Sequence, residues 1–338
     1  MNRAHLARLV GTYGVLIALA ALILFGWLRY ENFLSPFNIT TVVRYNSMFA
    51  LVALGMCFVI MTGGIDLSVG STAALGSVAA ALASHYGIIP GIAAGIGVGV
   101  LVGAINGVLV TRANIMPFVA TLCTLLAASG SALLLSGQTS VPVSSSSGFI
   151  MIGAGTLWFV PIPTAIALVA YALGSLILNC TPTGRTVLAI GGNEDASRLM
   201  GLPVTRVTFL VYLASGALAG LAGVLLAALG YAGQPTEGVG WELFAIAAVV
   251  VGGTLLTGGS GSVVTTLAGV LLLGILFNVL NFENGKGWIT LSAAWQSVVR
   301  GLFLLAVILL QAQLTRSAPK KFQYIEGDSK SKGGSLAG

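Results

Sequence analysis

Residues 179–206 read NCTPTGRTVLAIGGNEDASRLMGLPVTR and carry five charges, on Arg185, Glu194, Asp195, Arg198 and Arg206. Residues 45–184 carry only Asp66 and Arg112. A charge at a bilayer centre costs roughly 2.5–3.5 kcal/mol even on a lenient insertion scale, so such a cluster belongs in water, between two blocks of membrane spans. Within it Asn193 is placed to cap a helix, Glu194 and Asp195 sit in the first turn where the helix dipole favours negative charge, and Gly201 and Pro203 end it. The spacing predicts a helix of about two turns on the membrane surface. A plain surface loop accounts for the same residues.

The composition sets the class. Charged residues make up 7% and hydrophobic residues 57% of 338 residues, against roughly 25% charged in soluble domains. So few charges cannot cover a water-soluble fold of this size, and the chain reads as an all-α polytopic membrane protein. The net charge of +6 is scattered and forms no stripe for nucleic acid. Cys57, Cys123 and Cys180 lie in or beside apolar runs without metal-ligand spacing.

Outward from the charged stretch, apolar runs follow one another. The first covers residues 10–28 and is an uncleaved span, because Trp27, Leu28, Arg29 and Tyr30 follow it in place of a small-residue cleavage site. Runs at 45–62 and 69–84 are joined by GGIDLSVGS at 63–71. The run at 90–110 has glycine at 91, 95, 99, 103 and 107, a ridge that lets a neighbouring helix approach closely. Further spans are expected at 117–136, 163–178, 207–229, 263–280 and 289–311, and residues 137–160 read as an outer loop, partly re-entrant. Residues 243–251 give about 14 Å of helix against a core of roughly 30 Å. That helix is expected to be broken or tilted at Gly252 and Gly253, or to continue past them.

Ten crossings with both termini in the cytoplasm place Arg3, Arg8, Arg112, Arg185, Arg198, Arg206, Arg316, Lys320, Lys321, Lys330 and Lys332 inside. Only Arg29, Arg44 and Lys286 then lie outside, as the positive-inside rule asks. The five tryptophans, Trp27, Trp158, Trp241, Trp288 and Trp295, fall near the outer interface. There is also an echo: GGTLLTGGS at 252–260 matches GGIDLSVGS 189 residues earlier in Gly, Gly, Leu, a hydroxyl, Gly and Ser. Glycine-rich breaks at matching places in two halves point to a transport pathway, although glycine abundance can produce the same match.

Several chemistries are missing. Lys330, the only lysine followed by a hydroxyl residue, follows Ser329, so no Walker lysine exists. Residues 258–261 spell the GxSG of an intramembrane protease, but the only histidines are His5 and His85, neither placed as its base. The candidates for a substrate pathway are Asn46, Asp66, Ser68, Asn106, Phe118, Glu242, Asn278 and Gln296, with Arg300 as a further ionisable group in a span. A hydrogen-bonded brace that fixes the helix breaks accounts for the ionisable ones better than direct substrate contact does.

The stretches GGIDLSVGS, PFVATL (117–122), AIGGNEDASRLMGLPVTRV (189–207), SGALAGLAG (215–223) and WELFAIAAVVVGGTLLTGGSGS (241–262) together resemble a known family. The chain looks like the permease subunit of ribose-type monosaccharide ABC importers, related to branched-chain amino acid permeases, from about residue 38 to 311. The AIGGN stretch, the run at 231–243 and NFENG at 281–285 look most like permeases of galactofuranose importers. The resemblance implies one permease domain over 1–338, with spans from about 10 to 311, a cytoplasmic coupling loop at 179–206 and a basic tail at 312–338. It implies an inner-membrane location in a bacterium and no cofactor in this chain, ATP and magnesium being held by partner ATPases. The other implied partners are a second permease, by the galactofuranose likeness a different one, and a periplasmic sugar-binding protein. The loop then couples to the ATPase through Asn193, Glu194, Asp195, Ala196, Ser197, Arg198 and Gly201. The family's EAAxxxG pattern falls on Asp195, Ala196, Ser197 and Gly201, which leaves Glu194 or Asp195 as the contacting acid. Phe244 stands where relatives carry Asp. A branched-chain amino acid permease and an ion-coupled transporter using Asp66 are the rival readings.

Overall fold

The computed structural model describes residues 3–285 and, beyond them, 295, 298, 301, 302 and 305, with side chains from residue 14 onward. Lys286, Trp288, Gln296, Arg300 and the tail at 312–338 lie outside the described residues. The chain divides into two compact units, Met1–Leu291, which holds every element below, and Ser292–Gly338, whose described residues are helical.

The first unit is a helical bundle. Helices α1 (Arg3–Arg29), α2 (Pro36–Met61), α3 (Val69–Ala83), α4 (Ile88–Thr111) and α5 (Pro117–Ser136) come first, with a 3-10 turn at Ser84–Tyr86. A connecting segment carries β1 (Val141–Pro142), α6 (Ile150–Ala154), β2 (Thr156–Leu157) and β3 (Val160–Pro161). Then come α7 (Ile162–Cys180), α8 (Pro182–Gly192), α9 (Glu194–Leu199), α10 (Val204–Leu229), β4 (Ala232–Gly233), α11 (Trp241–Val251) and α12 (Val263–Gly285). Among the described residues, six helices, α2, α4, α5, α7, α10 and α12, are long and apolar enough to cross a membrane. The 26 residues of α10 reach about 39 Å.

Most boundaries follow the sequence within two or three residues. The largest shift is α2, which starts at Pro36 and not near 45. The Ser35 hydroxyl accepts from Asn38 N at 3.3 Å and Pro36 takes the first helical position, so Asn38 and Arg44 are helical although they read as a polar connection. The sequence reading also missed α8, which Thr181 caps by accepting from Gly184 N. Its weak signal was TPTG, a cap followed by proline.

The glycine ridge on α4 meets a second one on α10, running antiparallel. A Cβ on Gly99 would stand 2.8 Å from Gly220 Cα, and one on Gly103 would stand 3.2 Å from Gly216 Cα and 2.5 Å from Tyr212 O. Such approach gives close van der Waals contact between helix backbones, which is what holds helices together when lipid removes the hydrophobic driving force. The ridge is therefore helix packing. The chain at 137–160 folds back over one end of the bundle: β1 pairs antiparallel with β4, Val141 opposite Gly233. Phe149 is fully buried there against Ala80, Ala81, Val224, Ala227 and Ala228.

Gly99→Val is expected to lower the stability of the detergent-solubilised protein by about 1–3 kcal/mol through overpacking. A Cβ on Gly97 meets nothing within 4 Å, so Gly97→Val is the matched control. Thermal midpoints by size-exclusion chromatography check this, and equal losses at both positions would contradict it.

Candidate functional site

Two helices, α2 and α11, run into glycine pairs, and both end the same way. At the end of α2, Gly63 N donates to Ile60 O at 2.9 Å and Gly64 N to Val59 O at 3.1 Å, with Gly63 at φ +83°. At the end of α11, Gly253 N donates to Val250 O at 2.9 Å and Thr254 N to Val249 O at 3.2 Å, with Gly253 at φ +87°. Both are Schellman closures, in which a left-handed glycine turns the chain so that it satisfies the last carbonyls of its own helix. The left-handed glycines are 190 residues apart and not 189. The echo in the sequence is therefore out by one where the helices end, because in Thr62-Gly63-Gly64 the left-handed residue is the first glycine and in Gly252-Gly253-Thr254 it is the second.

The chain after the first break is anchored by Asp66. Its carboxylate, 1% exposed, accepts from Ser68 N at 3.0 Å, Ser68 Oγ at 2.6 Å and Ser215 Oγ at 2.9 Å. Asn106 Nδ2 donates to Ser68 Oγ at 2.8 Å and lies 3.5 Å from Asp66 Oδ1, while Thr124 Oγ1 donates to Asn106 Oδ1 at 2.6 Å. Thr121 Oγ1 reaches Ile65 O at 3.2 Å. One carboxylate thus ties the break to α4, α5 and α10. It does so just before the start of α3, accepting from the backbone N of its cap Ser68, where the helix dipole favours negative charge. Buried Tyr212, on α10, brings its hydroxyl against Gly64 and has no hydrogen-bond partner among the described residues.

Asp66, Ser68 and Asn106, three of the pathway candidates, are therefore brought together, and they face one another inside the chain. Asn46 and Asn278 lie elsewhere, on the seam between α2 and α12. Asn46 sits against Gly274, and Asn278 exchanges amide hydrogen bonds with Asn38 at 2.9 and 3.1 Å. Glu242 is half-buried at the start of α11, where Gly240 N donates to it at 3.3 Å. Phe118 is 54% exposed, on the outward stripe of α5 with Leu122 and Leu126, opposite buried Thr121, Thr124 and Ala128. Next to Glu242, Trp241 and Phe244 stack on Phe49 with ring centroids 4.7 and 4.5 Å apart. Ser215 and Thr124 escaped the sequence reading, since a hydroxyl on an apolar helix does not show which acid it serves.

The charged stretch forms the helix the sequence predicts. Asn193 Oδ1 accepts from Ala196 N at 2.8 Å. At the other end Gly201, φ +76°, donates to Arg198 O and Leu202 N to Ser197 O, a third Schellman closure. Glu194 and Arg198 pair at 2.7 Å, one turn apart on the exposed side. Ser197 is fully buried, its hydroxyl donating to Asn193 O at 2.8 Å. Leu199 is 90% and Met200 68% exposed, so this short helix presents an apolar tip flanked by charge and packs its other side on the bundle.

A family model described as branched-chain amino acid transport system / permease component matches residues 38–308. The chain belongs to that family. It is 40% identical to the ribose import permease protein of Bacillus subtilis over 91% of this chain and 95% of that one. It is 36% identical to the L-arabinose transport system permease protein of Escherichia coli, over 89% and 90%. With the fructose import permease protein of Bifidobacterium longum the identity is 32%, over 90% and 91%. No solved structure matches. As a permease component with six long apolar helices among its described residues, the chain is a multi-pass protein of the cytoplasmic membrane.

Removing the Asp66 acceptor leaves several donors unsatisfied, each costing about 1–3 kcal/mol. Asp66→Ala is expected to lose more melting temperature in detergent than Ser215→Ala, which removes one donor only. A wild-type melting temperature for Asp66→Ala would show that the knot does not hold the break.

Proposed function

We propose that this chain is the membrane-spanning permease subunit of an ATP-driven monosaccharide importer. The single observation that carries the reading is the covering, nearly full-length similarity to permeases named for ribose, arabinose and fructose. Two of the three sugars are pentoses, which favours a pentose as cargo, and the likeness in sequence to galactofuranose permeases keeps a furanose beside it. The family description names branched-chain amino acids, and that is the second reading.

In this proposal the chain crosses the membrane ten times with both termini inside. The described part supports the count, because α2 and α10 each have the length to cross and the short α11 forms an antiparallel hairpin with α12, Gly269 lying against Ala248. The remaining crossing expected from the sequence, at 289–311, lies largely outside the described residues. A second permease, a different chain by the galactofuranose likeness, encloses the path with this one. A periplasmic binding protein delivers the sugar, and partner ATPases hold ATP and magnesium. This chain supplies no reacting group; it moves.

The force enters at α9. Among the described residues Leu199 and Met200 stay 90% and 68% exposed, and Glu194, Asp195 and Arg198 on the same short helix are exposed as well, the pattern of an apolar anchor with a polar rim. ATP-driven closure of the ATPases shifts this helix and alternates access to the path.

In proteoliposomes carrying the permeases and ATPases, with binding protein outside and ATP inside, labelled ribose or arabinose uptake should require ATP and persist when proton and sodium gradients are collapsed. Uptake driven by either gradient without ATP would overturn the proposal, and ATP-driven leucine uptake in place of sugar would favour the second reading. Leu199→Asp should leave the fold intact and weaken coupling about tenfold or more, since an anchor leucine contributes about 1.5–3 kcal/mol on burial. Full transport by that variant at normal expression would remove α9 from the mechanism.

A further inference from the structure

Three backbone segments far apart in the sequence meet at one place with no side chain between them. They are the end of α2 at Met61–Gly63, the turn at Gly258–Gly259 beyond α11, and the last turn of α8 at Gly191–Gly192. Gly259 N donates to Met61 O at 3.0 Å. A Cβ on Gly258 would stand 2.8 Å from Gly63 N and 3.0 Å from Gly191 Cα, and one on Gly259 would stand 2.9 Å from Gly192 Cα. One on Gly191 would strike Met61 O and Gly259 N. Gly258 and Gly259 also hold left-handed backbone, at φ +83° and +76°, so the second turn is shaped to present its peptide edge to the other two.

The position of this junction gives it a role. Asn193, the cap of α9, directly follows Gly192. The two other segments are the first helix break, which the Asp66 knot ties to α4, α5 and α10, and the turn that directly follows the second. Contacts made through side chains absorb small displacements by rotamer changes, whereas backbone touching backbone has no such slack. From this we infer that Gly191 and Gly259 are positioning residues for transport: they pass a displacement of α9 into both helix breaks at once. The inference rests on the coupling role proposed for α9. It adds the route by which one short helix drives both halves of the chain, and the reason the route is glycine.

Two measurements on the complete complex, with permeases, ATPases and binding protein, test it. The first compares Gly191→Ala with Gly192→Ala, because a Cβ on Gly192 meets nothing within 4 Å. Gly191→Ala should assemble with the ATPases yet import about tenfold less sugar per ATP hydrolysed, and Gly192→Ala should stay within about twofold of wild type. Normal stoichiometry in Gly191→Ala, or an equal defect in both, would overturn the inference. The second uses hydrogen exchange on the unmodified complex, with and without vanadate-trapped nucleotide, and so does not depend on a variant folding. Amides in 61–64, 189–193 and 257–261 should change together on trapping. If 194–200 responds and 257–261 does not, the relay is wrong while α9 still couples; if 194–200 does not respond at all, the coupling reading fails and the relay with it.

Discussion

The end of a helix leaves its last carbonyls without intrahelical partners, and the structure depends on how α2 and α11 meet that constraint. Each closes on itself through a left-handed glycine, Gly63 or Gly253, and the turn after the second then donates Gly259 N to the last carbonyl of the first. The two interruptions thus complete one another. A side chain at Gly259 would press on the end of α8, since a Cβ there would stand 2.9 Å from Gly192 Cα.

The same economy of side chains organises the rest. Along α4 and α10 glycines face glycines, so the helices touch through their backbones, and the Asp66 carboxylate pins the intervening break to three helices through hydroxyl and amide groups. A buried carboxylate with hydrogen-bond donors on both oxygens is costly to disturb, which makes the region between the two breaks stiff. Stiffness there, next to a helix whose apolar tip is exposed, suits the coupling role proposed for α9, in which an imposed motion would move the break and its partners as a body.

Much of this was legible in the residues. Asn193, Gly201 and Pro203 bound α9 where capping chemistry puts them, and the four-residue glycine period on α4 announced a close helix contact. The start of α2 was misread because Asn38 and Arg44 are polar, although Ser35-Pro36 carried the capping signal. Other features had no local signature. Nothing near Ser215 marks it as the partner of an acid 149 residues earlier, and the pairing of the two glycine breaks is a long-range contact that only the fold creates. Asp66, Ser68 and Asn106 could be singled out as polar groups in apolar spans, but whether they face a solute or one another depends on how α3, α4 and α10 pack.

In the proposed arrangement α9 and both breaks stand at the cytoplasmic end of a membrane-woven chain. Asp195 is exposed, unlike the buried Ser197, and is the suitable probe. In a chain whose Cys57, Cys123 and Cys180 are replaced, Asp195→Cys should resist a membrane-impermeant thiol reagent in intact cells and react with it in inverted vesicles stripped of ATPases. Labelling of Asp195→Cys from outside intact cells would contradict the account.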